Sequence, residues 1–254
     1  MTSGGIIGWA VAAGLLSLRI GPLFALAPPF TLTRVPVLFR VLLALGLAGW
    51  MVAARPEAAA GVDALGAGGL IVAGLGELMV GLSFVVAFQL TFGALYMAGR
   101  TVDIQAGFGL AALVDPTTRN QSPMVGTLFA LAAAAIFFAM NGHHDVLRLL
   151  SASLETRPLG QGGAPTSLGP LLAFISVIFL AAMGVAGAAV LGLFLVDMAI
   201  ALMSRTLPQM NVLVLGFQVK TLVLLLVLPI TFGFAGALLA RMLVMTLEAI
   251  PGLV

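Results

Sequence analysis

Hydrophobic residues run through this sequence in long blocks that short polar connectors separate. Within a block the apolar positions do not alternate with polar ones, as they do in a half-buried strand, so the blocks predict helices. Several blocks reach the roughly 20 residues that a helix needs to cross the apolar core of a bilayer. The pattern therefore predicts an all-α integral membrane protein with spans at residues 6–27, 36–54, 70–98, 124–140, 171–203 and 212–247.

Two of these blocks are longer than one crossing requires. As a single helix, residues 171–203 would be about 50 Å long at 1.5 Å per residue. The block 212–247 is longer still, and Pro229 is predicted to break it into two arms because proline removes a backbone hydrogen bond. Counting six spans also leaves the arginines almost evenly divided between the two sides of the membrane. Neither feature fits a simple series of bilayer-crossing helices.

The composition narrows the class of protein further. Of 254 residues, 61% are hydrophobic and 8% are charged, whereas soluble domains carry about 25% charged residues. The formal net charge is only +2 and there is no basic tract, so nucleic acid is not an expected partner. The sequence has no cysteine, which excludes disulfides and thiolate chemistry.

Charged residues inside the apolar blocks are the next clue. Each costs free energy in lipid and should face protein or a water-filled cavity. Pairing within the chain is one solution, for instance Glu77 with Arg100 or Asp197 with Lys220. Coverage by other subunits is another. The residues concerned are Arg19, Arg40, Glu77, Asp197 and Lys220.

The stretch QAGFGLAALVDPTTRNQSP, residues 105–123, interrupts the apolar blocks. Gly107 and Gly109 permit positive φ or close backbone approach, and Pro116 blocks regular helix nearby. An ordinary surface loop is one interpretation. However, the first half, which includes Phe108, is too apolar for free exposure. Irregular backbone at membrane depth is tolerated where it is buried in protein or lines a cavity, so we expect a segment that fills or closes one.

A second connector, ETRPLGQGGAPTSLGP at residues 155–170, contains four glycines and three prolines and cannot continue a helix. We place the boundary between two structural parts here. The N-terminal part covers residues 1–160, the linker 161–170 and the C-terminal part 171–254.

No motif for catalysis or for a metal is present in the sequence. Adjacent side chains on a helix point about 100° apart, so His143 and His144 cannot easily hold one ion; capping or polar contact at a helix end is the preferred interpretation. Asn141-Gly142 fits a helix stop in which the glycine takes a left-handed conformation. We therefore expect no enzyme activity, no metal and no cofactor.

Four blocks, in order and nearly end to end, give the chain a family resemblance. They are RIGPLFALAPPFTLTRVPVLFRVLLALGLA (19–48), GELMVGLSFVVAFQLTFGALYMAGRTVDIQAGFGLAALVDP (76–116), NGHHDVLRLLSASLETRPLG (141–160) and SRTLPQMNVLVLGFQVK (204–220). With these blocks the chain resembles the FliR family of flagellar export-apparatus proteins and its counterparts in virulence type III secretion systems, of which we favour the flagellar kind.

The resemblance implies a fold, a function and partners. The fold would be one FliP-like unit fused to a FliQ-like helical hairpin, with long helices tilted and raised from the ordinary bilayer plane. The protein would form with FliP and FliQ, and with FlhB nearby, the gate through which unfolded substrates are exported. Its place would be the bacterial inner membrane at the flagellar basal body, in contact with membrane lipid. It would carry no catalytic activity.

The resemblance also assigns residues. The family's loop after the GELMVGL helix is thought to plug the closed pore, and here it is residues 106–122. The plug candidates are Gly107, Phe108, Gly109, Val114, Asp115 and Pro116. Glu77 matches the family's acidic residue and implies a buried packing role, as Asp197 is expected to have in its own helix. The late block supplies Arg205, Pro208, Gln209, Asn211 and Lys220.

A small-solute or ion-coupled secondary transporter is the alternative from another class. Glu77 and Asp197 would then bind protons or sodium near the middle of the membrane. Such a protein should be stable alone or as a homo-oligomer, whereas an export-gate protein should need FliP and FliQ.

Overall fold

The computed structural model describes residues 3–31, 35–59, 62, 65–108, 123–161, 167–206 and 212–253, and no strand occurs among them. A short 3₁₀ helix lies at Pro56–Ala59. The α-helices are α1 (Ser3–Leu26), α2 (Val37–Ala54), α3 (Ala67–Gln105), α4 (Met124–Ala139), α5 (Gly142–Thr156), α6 (Gly169–Thr206) and α7 (Val212–Leu253). The prediction of an all-α membrane protein is confirmed.

Five helices, α1, α2, α3, α6 and α7, are long and apolar enough to cross a membrane. The sixth predicted span, residues 124–140, is different. It is the 16-residue helix α4, which is shorter than the roughly 20 residues of a crossing. It meets α5 at a bend of 72°, and only the bent pair together passes as a sixth span.

The break between α4 and α5 is at Asn141, which takes the left-handed conformation with φ 58°. The prediction that Gly142 would do so is wrong; α5 begins at that glycine. Asparagine tolerates this conformation because its short polar side chain can bond locally. Gly142 is needed for space, since a Cβ there would overlap the ring of Phe137.

The predicted break of the last block at Pro229 is also wrong, because α7 is continuous from Val212 to Leu253. A proline removes one backbone hydrogen bond and leaves the others in place, and membrane helices tolerate this loss. Pro22 likewise lies inside α1. The block 171–203 is one helix as well, which at 1.5 Å per residue makes the 38-residue α6 about 57 Å long.

The chain divides into two compact units. Unit 1 comprises Met1–Leu90, Phe137–Ile175 and Val244–Val254; unit 2 comprises Thr91–Ile136 and Ser176–Leu243. Several helices contribute to both units. The predicted parts 1–160 and 171–254 instead follow chain order and rest on family likeness, so the units do not test them and they stay predictions.

Aromatic side chains form much of the core of unit 1. The ring of Phe30 packs edge-on against the rings of Phe24, Phe137 and Phe138 at centroid distances of 5.0–6.2 Å. Phe88 of α3 adds a further edge contact with Phe137 at 5.6 Å. Such offset aromatic pairs favour one fixed arrangement of the helix ends that carry them.

In unit 2, α6 and α7 pack as an antiparallel hairpin. Gly192 faces Val227, and Gly184, about two turns earlier on α6, faces Leu238 further along α7. Gly216 near the start of α7 faces Ile200 near the end of α6. Small residues at these positions let the helices approach closely, as is common in membrane proteins.

Candidate functional site

The predicted plug segment begins where α3 ends. The N–H of Ala106 donates to the carbonyl of Val102 at 2.8 Å, and the N–H of Gly107 donates to that of Ile104 at 3.0 Å. Gly107 then turns the chain with φ 90°. A glycine in the left-handed region is the common way to end a helix, so the predicted use of positive φ at Gly107 is confirmed.

The residues at this turn sit against α7. The rings of Phe108 and Phe217 meet edge-on with centroids 6.4 Å apart. A Cβ on Gly107 would lie 3.1 Å from Cδ2 of Phe217. The start of the segment is therefore fixed on the hairpin of unit 2 by an aromatic contact. The other plug candidates, Gly109, Val114, Asp115 and Pro116, lie outside the described residues.

Asp103, in the last turn of α3, caps the N-terminus of α4. Asp103 as a whole is 5% exposed. Its carboxylate accepts a hydrogen bond from the N–H of Val125 at 3.2 Å, and Met124 and Gly126 direct their N–H groups at it as well. The residue before α4 is Pro123, whose side chain cannot cap. Asp103 therefore satisfies, from another helix, donors that the first turn leaves free, and its negative charge suits the helix dipole.

Close backbone contact supports this cap. A side chain on Gly99 of α3 would overlap the backbone of Gly126 in α4, and one on Gly126 would lie 2.7 Å from the carbonyl oxygen of Tyr96. The hydroxyl of Tyr96 is also 3.4 Å from that of Thr127. We call Gly99, Asp103, Gly107, Phe108, Pro123, Val125 and Gly126 the stem, because they hold the two ends of the segment 109–122.

Of the stem, sequence reasoning identified Gly107 and Phe108 but not Gly99, Asp103, Pro123, Val125 or Gly126. Asp103 and Gly99 lie in a quoted family block but were given no role. The signal that could have found them is the proline at position 123, which leaves the start of α4 without a local cap. A buried acid in the last turn of the preceding helix could supply that cap.

A second polar cluster, the hub, lies in unit 1 around Arg19 of α1. Arg19 and Glu77 are both fully buried, with Arg19 Nε 2.6 Å from Glu77 Oε2. The other guanidinium nitrogens donate to Ser153 Oγ at 2.9 Å and to the carbonyl of Arg157 at 3.0 Å. The suggested pairing of Glu77 with Arg100 is wrong: both are in α3, and 23 residues separate them by about 34 Å.

Two glycines complete the hub. Gly160, at φ 83°, donates its N–H to Glu77 Oε1 at 3.1 Å. Gly81 follows Glu77 by one turn, and a side chain there would overlap the carbonyl of Arg19. The hub thus joins α1, α3 and α5 to the start of the 157–168 connector.

The predicted pairing of Asp197 with Lys220 is confirmed. Lys220 Nζ is 2.5 Å from Asp197 Oδ1, and the two side chains are 20% and 42% exposed. The pair joins α6 and α7 within the hairpin. Arg205 lies exposed in the last turn of α6, while Pro208, Gln209 and Asn211 lie outside the described residues.

His143 and His144 lie in the first turn of α5 with their rings 4.3 Å apart. The neighbouring Asp145 pairs with Arg148 at 3.0 Å. Within the described part of the chain, no group of three or more histidine, aspartate or glutamate residues is placed to hold a metal ion.

Comparison with known proteins gives one family. The family described as "Bacterial export proteins, family 1" matches residues 10–245. Its span runs from the middle of α1 into the last turns of α7 and includes both the stem and the hub.

Individual relatives are similar at lower coverage. "Flagellar biosynthetic protein FliR" of Bacillus subtilis (strain 168) is 28% identical over 181 residues, 70% of each chain. The protein of the same name from Escherichia coli (strain K12) is 28% identical over 144 residues, 56% of this chain and 54% of the relative. "Secretion system apparatus protein SsaT" of Salmonella typhimurium is 26% identical over 162 residues, 63% of this chain and 62% of the relative. The matches thus cover less than two thirds of two of these three relatives.

Proposed function

Since the chain belongs to the bacterial export proteins, family 1, we propose that it is a FliR-like component of a flagellar type III protein export apparatus. The observation that carries this proposal is the family match over residues 10–245. The family is one of export proteins and not of enzymes. The apparatus is a multi-protein membrane complex, which we place in the bacterial inner membrane at the flagellar basal body.

The proposed partners are FliP and FliQ, with FlhB nearby, and the proposed cargo is unfolded protein. The surface of the hairpin supports such partners. Leu180 on α6 and Leu225 and Phe234 on α7 are 67–80% exposed, and the partly exposed Asp197–Lys220 pair lies on the same two helices. Lipid can cover the apolar residues but not the charged pair, whereas neighbouring proteins can cover both.

The segment 106–122 is proposed to act as a plug that closes the export channel. The mechanism is steric: the segment blocks the lumen when no substrate is present and moves aside when one arrives. Three features of the stem support it. Gly107 turns the chain sharply, Phe108 is fixed on Phe217, and Asp103 holds the far end at α4. The described residues at the two ends of the segment are therefore fixed, one against α7 and the other at the start of α4.

The plug is tested by deleting residues 107–116 in cells that assemble the apparatus and measuring ion leak through the membrane. We expect the leak to rise. Phe217→Ala, which removes the ring under Phe108, should raise it less. Phe232→Ala is the matched control, because it removes a phenylalanine of the same helix that packs edge-on against Phe129, outside the stem. An unchanged leak in the deletion variant, at normal levels of assembled complex, would count against the plug.

Membership in a complex is tested by purification. We expect the chain to be recovered together with FliP and FliQ relatives and to be markedly less stable without them. The transporter alternative requires free acids, yet Glu77 and Asp197 are paired with Arg19 and Lys220. A chain that purifies as a stable monomer or homo-oligomer and binds a small solute would favour the alternative.

A further inference from the structure

Unit 1 contains a cavity that the proposed function does not use. Its volume is about 390 Å³, within the range of about 300–1,000 Å³ that is usual for small-molecule sites. Four phenylalanines, Phe24, Phe30, Phe39 and Phe138, form much of its wall, and most of the other lining residues are aliphatic. A lining of this kind suits a hydrocarbon chain and does not suit a hydrated ion or a polar metabolite.

One cation lies at the cavity. The guanidinium of Arg40 donates to the carbonyl of Val35 from Nε at 3.0 Å and from Nη2 at 2.8 Å, and to that of Ala25 from Nη1 at 3.3 Å. These acceptors orient the group but are uncharged. Among the described residues, no carboxylate lies within ion-pair distance of Arg40. Its positive charge is therefore available to an anion.

A second polar group lines the same cavity. Nδ1 of His143 is shielded from solvent and has no hydrogen-bond partner among the described residues. A buried polar atom of this kind calls for an explanation. A ligand with a polar head beside an apolar body supplies one, because it can bring a hydrogen-bonding group into a cavity that is otherwise apolar.

The cavity lies where several helices of unit 1 end. Ala25 is in the last turn of α1, Arg40 is in the first turn of α2, and His143 is in the first turn of α5. The ends of membrane-spanning helices commonly lie at the level of the lipid headgroups, where arginine is favoured. The helix α5 fits this level, because its Val146 and Leu150 are buried while Arg148 is exposed, as in helices that lie along the interface.

We propose that this cavity binds an anionic phospholipid, with an acyl chain between the phenylalanines and the phosphate paired with Arg40. Arginine recognises phosphate through several parallel hydrogen bonds. The proposal does not depend on export or on the plug, because the residues that carry it belong to neither the stem nor the hairpin.

The test uses the full-length chain in detergent, with phosphatidylglycerol and phosphatidylcholine of identical acyl chains as probes and native mass spectrometry to measure bound lipid. We expect phosphatidylglycerol to bind more tightly. Arg40→Gln should weaken the binding of phosphatidylglycerol about tenfold, as expected for the loss of hydrogen bonds to a charged group, and should remove the preference for it over phosphatidylcholine.

Arg40→Lys, which keeps the charge, should retain the preference for phosphatidylglycerol and shows that the fold survives. Leu43→Trp, which fills the cavity, should reduce binding of both lipids. Arg148→Gln, an exposed cation elsewhere, should change neither.

Three results would overturn the proposal. One is a preference for phosphatidylglycerol that persists in Arg40→Gln. Another is equally tight binding of glycerol phosphate alone, which would mean that Arg40 binds an anion without an acyl chain. The third is a photo-crosslinker at position 43 that, in native membranes, captures a protein segment instead of lipid, which would give the cavity a different occupant.

Discussion

Two ion pairs that join membrane helices in the described part of the chain are built differently. In unit 1, Arg19 and Glu77 are fully buried, and each guanidinium nitrogen and each carboxylate oxygen has a partner. In unit 2, Asp197 and Lys220 form a short contact, yet 42% and 20% of their side chains are exposed. Both pairs lie inside apolar helices, so the difference is in what surrounds them.

In unit 1 the chain surrounds its charged pair with its own polar groups, whereas in unit 2 it leaves its charged pair partly exposed. A charge in lipid costs free energy unless protein or water surrounds it. In the hub, protein groups of unit 1 alone surround both charges. The hairpin pair is not surrounded in this way, and its remaining exposure agrees with the proposal that neighbouring subunits cover α6 and α7. Breaking each pair should therefore have effects of different size and in different measurements.

The largest effect is expected from Arg19→Met. It leaves Glu77 as an uncompensated buried charge, which lowers the free energy of unfolding by about 3–5 kcal/mol. Denaturant unfolding of the purified chain in detergent measures this. The double variant Arg19→Met/Glu77→Met removes both charges and should cost clearly less than the single one. Equal losses in the single and double variants would mean that packing, and not charge, gives the hub its importance.

How far the sequence predicts these contacts differs between the pairs. The pairing of Asp197 with Lys220 was predicted correctly, because two long helices that follow each other in the chain and pack antiparallel bring such positions together. Glu77 was given the wrong partner. Its true partner is 58 positions away on another helix, and only tertiary packing decides which helices lie side by side.

The same limit applies to the fold and the stem. The apolar blocks predicted five spanning helices well, because length and composition decide whether a helix can cross a membrane. They did not predict that α4 would be too short to cross alone or that α7 would run through Pro229. Asp103 was missed because its role depends on the N-terminus of another helix, which periodicity within its own helix does not show.

Gly81→Ala tests the hub by sterics instead of charge. The added methyl group would overlap the carbonyl of Arg19, and separating α1 from α3 should lower the free energy of unfolding by about 1–3 kcal/mol. Gly93→Ala is the matched control, because it lies in the same helix with nothing within 4 Å of the added atom. We expect it to be neutral or slightly stabilising, since alanine is the better helix former. Similar losses at both positions would show that α3 needs glycine for some other reason.

Asp103→Ala tests a contact of unit 2 that, like the hub, is closed within its unit. Loss of the cap on α4 should lower the free energy of unfolding by about 1 kcal/mol, the usual effect of removing a capping side chain. Because Asp103 also belongs to the stem, we expect ion leak to rise in cells that assemble the apparatus. Asp145→Ala, which breaks only an exposed pair with Arg148, should affect neither measurement. A normal leak with the expected loss of stability would separate the cap from gating.

Lys220→Met should have the smallest effect on the isolated chain and a larger one on the assembly. The pair is partly exposed, so its loss should change the free energy of unfolding by only about 0–1 kcal/mol. If neighbouring subunits cover it, however, Asp197 becomes a buried and unpaired charge in the complex, and less FliP and FliQ should be recovered with the variant. Arg241→Met, an exposed cation on the same helix, is the control and should leave recovery unchanged. Full recovery of partners with Lys220→Met would mean that this face of the hairpin meets lipid or water, and that the two ion pairs differ in burial without differing in role.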